Sequence, residues 1–156
     1  MAGAVELTEL PFVEVLGLDL SADARQRVIA IGRRIGRLTG HTTWTVADLP
    51  VPVANHSRYL AGTGMPLPSE PDDGLELALG FWRAADGGLL VTATVDVDCR
   101  CPADHNMHPA AEAEWTVRDE QELVDALERA AELLHTWAAD DASPAEWRQR
   151  ANLPNP

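Results

Sequence analysis

The stretch Leu75-Glu76-Leu77-Ala78-Leu79-Gly80-Phe81-Trp82-Arg83-Ala84-Ala85-Asp86-Gly87-Gly88-Leu89-Leu90-Val91-Thr92-Ala93-Thr94-Val95-Asp96-Val97-Asp98 decides how this chain folds. Its second half alternates with a period of two. Val91, Ala93, Val95 and Val97 share one side, whereas Thr92, Thr94, Asp96 and Asp98 share the other, the signature of a strand with one buried face. Asp86-Gly87-Gly88 supplies turn residues that tolerate positive φ. The spacing therefore predicts an antiparallel hairpin with strands at 75–84 and 89–98. A hairpin with one apolar face needs a second layer to cover it.

Working outward toward the C-terminus, Ala111 to Val117 reads as a further strand, and Asp119 with Glu122 three residues on forms a helix-start signature. Leu123, Leu127, Ala130, Leu134 and Trp137 recur at helical spacing, so a helix is predicted over 119–139, with Glu120, Asp125, Glu128 and Glu132 on its wet faces. Ser143-Pro144 then opens a short helix ending near Ala151, the proline taking a position where its missing N–H costs nothing.

Toward the N-terminus, Ser21 is the predicted cap of a helix over 22–39 with the stripe Val28, Ile31, Ile35 and Leu38. Gly32, Gly36 and Gly40 recur every four residues and mark a flank for close packing. Residues 12 to 20, Phe-Val-Glu-Val-Leu-Gly-Leu-Asp-Leu, read as a strand, and His41 to Val46 as a short β segment. Between 47 and 73 the pattern dissolves around Pro50, Pro52, Pro66, Pro68 and Pro71, which reads as a long irregular loop with His56 and Tyr59 in its middle. The resulting expectation is a single domain over 1–156 of the α+β class. An antiparallel sheet of about four to five strands carries two main helices, 22–39 and 119–139, on one face.

Composition narrows the function. The formal net charge is -13, and residues 65–156 carry the whole excess, with nineteen acids against six arginines. Nucleic acid is disfavoured as a partner, because phosphate contacts need a basic surface. A basic protein surface is the partner that such charge suits. All twelve basic residues are arginine, so lysine Schiff-base chemistry is excluded. No basic leader and no long apolar run is present, which predicts a cytoplasmic protein without a membrane span.

The chemistry-bearing residues concentrate in Cys99-Arg100-Cys101-Pro102-Ala103-Asp104-His105-Asn106-Met107-His108. Cys99, Cys101, His105 and His108 are candidate ligands for zinc, although C-x-C-x3-H-x2-H departs from the usual spacing of structural zinc sites. Continued strand parity places both thiols on the apolar side, where they serve equally as small hydrophobes. Three functions follow as expectations. The first is an acidic protein-binding accessory module of inhibitor, immunity or chaperone-like type, with no cofactor and no catalysis. The second is a zinc-binding protein using residues 99–108. The third is a small-molecule enzyme or carrier with a pocket beside the Pro-rich tract, using His56, Tyr59 or Cys99 as polar groups.

Overall fold

A computed structural model describes residues 3–6, 16–39, 43–46, 58–66, 74–98 and 107–153. Six strands form one sheet in sequence order: β1 (Gly3–Glu6), β2 (Thr43–Val46), β3 (Arg58–Pro66), β4 (Leu75–Arg83), β5 (Leu89–Asp98) and β6 (Met107–Val117). Every neighbouring pair is antiparallel. The helices are α1 (Ala22–Thr39), α2 (Glu120–Ala138) and α3 (Pro144–Arg150). The fold is α+β, with the helices packed against the sheet.

The β4–β5 hairpin forms as its alternation dictates. Leu77 lies opposite Val95, Leu79 opposite Ala93 and Phe81 opposite Val91, and all six side chains are buried. At the turn Gly87 takes φ 88°, and the Gly88 amide donates to the Asp86 carboxylate at 2.8 Å. Leu123, Leu127, Ala130 and Leu134 of α2 close over this surface together with Val28, Ile31 and Ile35 of α1 in one core. Gly32 and Gly36 are buried on α1, which packs against α2; Gly40 of the same series lies outside the described residues. The two helices run side by side in the same direction: the Glu120 carboxylate accepts from the Ser21 amide at 2.8 Å, and Arg27 pairs with Glu128 at 3.7 Å.

Both caps predicted for the C-terminal helices form. Asp119 accepts from the Glu122 amide, while the Glu122 carboxylate reaches one residue further back, to the Arg118 amide. At α3 Ser143 and Glu146 make the full reciprocal pair, and Trp147 is driven into the core with no exposed surface. The Arg148 guanidinium donates to the Asp98 carbonyl at 2.9 Å, tying α3 to the end of β5.

Four expectations need correction. Residues 16–20 are not a strand: Gly17 adopts φ 71°, and Leu16 is an inserted core residue whose carbonyl accepts from Arg83 at 2.8 Å. Residues 12–15 of that expected strand lie outside the described residues. The tract 47–73, expected to be irregular, contains β3, because backbone pairing to β4 satisfies a segment whose glycines carry little strand propensity of their own. The sheet accordingly has six strands rather than four to five, and β6 starts at Met107 rather than Ala111.

Candidate functional site

The helices cover one face of the sheet, and alternation sends the intervening side chains to the other. On β4 these are Glu76, Ala78, Gly80 and Trp82, and on β5 Thr92, Thr94 and Asp96. Opposite β4, β3 contributes Gly62 in register with Gly80, and Gly64 in register with Ala78. Four adjoining positions of a sheet surface thus carry at most a methyl group. The surface is concave there, forming a recess of about 450 Å³ lined by residues of β3, β4, β5 and β6.

Two aromatic rings reach over this small-residue patch. Tyr59 meets Trp82 edge to face at 5.2 Å between centroids, an arrangement that suits their ring quadrupoles. The Trp82 indole leans across Gly80 and donates to the Thr92 hydroxyl at 2.9 Å. A Cβ at Gly80 would sit 2.6 Å from the indole nitrogen, and one at Gly62 would sit 2.6 Å from the Tyr59 hydroxyl oxygen and 2.5 Å from the Leu79 carbonyl oxygen. The glycines are therefore what leaves room for the two rings to approach the sheet this closely.

Beyond the rings the wall is acidic. Glu76 stands directly across from Asp96, and Glu112 of β6, in register with Thr94, lies diagonally beyond Asp96 on the same wall. The Glu76 carboxylate also folds over Gly64, where a Cβ would collide with it. Burial raises the Glu76 pKa and the Asp96 charge adds to that; burial raises the Asp96 pKa too, the Thr94 hydroxyl opposing it at 2.9 Å and Glu112 reinforcing it. Tyr59 is likewise held above its ordinary value, by burial first and by the Glu76 charge second. Among the described residues lining the recess there is no arginine and no histidine. The chemistry on offer is an aromatic surface joined to a negative end.

Of the residues singled out by sequence, Tyr59 lies in this recess, on β3 rather than in a loop. His56, Cys99, Cys101 and His105 lie outside the described residues. His108 is on β6 in register with Val97, half-buried, with Nε2 at no solvent-accessible position. Among the described residues no group of three or more His, Cys, Asp or Glu is placed to hold a metal ion. No helix among them is long and apolar enough to cross a membrane. Glu76, Trp82 and Glu112 were missed by reading for motifs. The signal that could have found them is the outward parity of β4, where an acid, two small residues and a tryptophan alternate with the core leucines.

Compared with protein-family models, with curated proteins and with solved structures, the chain matches none.

Proposed function

We propose that this protein is a carrier-type binding domain that holds a small organic molecule on the open face of its sheet. The observation that carries this reading is the recess of about 450 Å³ floored by Gly64, Ala78 and Gly80. Its size falls in the range of small-molecule sites, and its rigid strands provide the preformed shape such sites use. Glycine in a strand interior costs on the order of 0.5–1 kcal/mol relative to alanine. At Gly64 and Gly80 that cost gives Glu76 and Trp82 room to lie along the sheet, where they form the walls of the recess. The described walls offer carboxylates, hydroxyls and a phenol, and the reading assigns them to holding a ligand.

The test is a nuclear magnetic resonance screen of a small-molecule mixture, with Ala78→Trp as the blocked control. Shifts confined to the amides of Gly64, Ala78, Gly80 and Trp82, and lost in the blocked variant, are the expected result. Shifts that persist in Ala78→Trp, or no shift at all, overturn the proposal.

A second reading, an accessory module for a basic protein, is favoured by the net charge of -13 and by the three carboxylates on the same face. It calls for association whose on-rate falls steeply as salt is raised. Salt-insensitive association removes it.

A further inference from the structure

The recess has two chemically different ends a short distance apart, and this restricts what fits it. The aromatic end lies over Gly80, where the Trp82 indole packs against Thr92 with Tyr59 beside it. The acidic end lies over Gly64, where the Glu76 carboxylate folds down across from Asp96 and near Glu112. Gly64 is in register with Ala78, two residues along β4 from Gly80. Two residues of strand advance about 7 Å, so the centres of the two ends are that far apart along the floor.

Resting on the carrier reading, we infer that the recess binds a small organic ammonium ion: a flat or aliphatic apolar body on Trp82 and Tyr59, and a protonated amine between Glu76 and Asp96. The reasons are electrostatic and steric. Glu76 and Asp96 face each other across β4 and β5 as like charges, an arrangement that is unfavourable by itself and is relieved by a cation placed between them. The described lining contains no basic side chain to do this. An ammonium with three donors suits separate carboxylate oxygens, while the rings at the other end take the apolar body. A carboxylate or phosphate ligand meets repulsion from all three acids. A linker of three to four methylenes spans about the 7 Å between the ends.

The experiment uses three probes of one shape: 4-phenylbutylamine, 4-phenylbutanol and 4-phenylbutyrate. Binding to the full chain is followed by calorimetry and by the indole N–H signal of Trp82, assigned with Trp82→Phe. The amine is expected to bind at least about tenfold more tightly than the alcohol, and the acid more weakly than either. In the double variant Glu76→Gln/Asp96→Asn the amine loses its advantage while the alcohol is unaffected. Glu114→Gln, on β6 in register with Thr92 and outside the recess lining, removes the same kind of charge and leaves the preference intact.

Equal binding of all three probes, abolished by Ala78→Trp, overturns the ammonium inference and leaves the carrier reading standing. An equal loss of preference in Glu114→Gln also overturns it, by assigning the effect to net charge. Absence of binding by every probe counts against the ammonium site, while the mixture screen decides the carrier reading separately. A lysine-containing peptide that binds more tightly than the free amine overturns the small-molecule source in favour of a protein partner.

Discussion

The two faces of the β4–β5 hairpin are one residue out of phase with each other and are built to opposite rules. Facing the helices, Leu77, Leu79, Phe81, Val91 and Val95 are fully or almost fully buried and fill volume. Facing outward, the small residues Ala78, Gly80 and Gly64 let the large side chains Trp82 and Glu76 lean along the sheet and wall the recess. One backbone is thus anchored by a dense core on one side and presents a shaped concavity on the other. The core holds the concavity rigid, which a loop-built site would not achieve as readily.

The strongest way to break this arrangement is from the helix side. Leu127 is 1% exposed at the centre of α2, and α2 packs on β4, β5 and β6. Leu127→Ala is expected to cost about 2–5 kcal/mol in urea denaturation, from lost apolar contact plus the cavity left behind. A loss below about 1 kcal/mol would show that α2 does not seal the core at this point.

The corresponding insult on the outward face is a single methyl. At Gly62 an added Cβ lies 2.5 Å from the Leu79 carbonyl oxygen, a backbone atom that cannot swing aside, and 2.6 Å from the Tyr59 hydroxyl. Gly62→Ala should cost about 1–3 kcal/mol by forced displacement, although alanine is ordinarily the better strand residue. It should also lift Tyr59 off the sheet and disturb the indole signal of Trp82. A neutral or stabilising outcome would mean that the rings are not seated on the glycines.

How much of this was legible beforehand follows from which face carries a periodic signal. The inward face is written in repeating leucine and valine, so the hairpin, the helices 22–39 and 119–139, and the caps at Asp119 and Ser143 could be read from spacing alone. The outward face has no such repeat. Its floor is glycine and alanine, which read as weak strand or turn, and β3 was hidden because Gly62, Gly64 and Pro66 argue against a strand when taken locally. Pairing to β4 decides that segment, and pairing is a property of two segments together. Motif reading drew attention to the cysteines and histidines of 99–108, whereas the acids of the recess come from three different strands and have no shared spacing in sequence. Gly17 shows the converse error: an apolar run suggested a strand, yet a positive-φ glycine turns the chain so that Leu16 becomes a plug.

A smaller effect tests how far the helix layer depends on local signals. Asp119→Ala removes the acceptor for the Glu122 amide at the start of α2 and is expected to cost about 1 kcal/mol by thermal or urea denaturation. Glu120, bonded to Ser21 across to α1, stays in place and limits the fraying. A cost above about 2 kcal/mol would show that the cap organises the packing of α1 as well as the end of α2.

The smallest expected effect has the opposite sign and separates the two faces most sharply. Glu76 and Asp96 are raised above their ordinary carboxylate values, burial acting first in both, with the Asp96 charge adding for Glu76 and the Glu112 charge for Asp96. The native state therefore holds more protons than the unfolded chain across the window between the ordinary and the raised values. Stability must fall as pH rises through that window and stay lower above it. Glu76→Gln removes one of the two facing charges, so at neutral pH it should stabilise the protein by about 0.2–1 kcal/mol, the scale of cross-strand charge pairs. As pH is lowered below the ordinary carboxylate range the parent protein also becomes neutral at this position, and the advantage should disappear. Urea denaturation of the two proteins at neutral and acidic pH measures this directly. A variant that is less stable at neutral pH, or an advantage that does not change with pH, would show that Glu76 is held favourably as a charge and that the outward face is balanced without a cation.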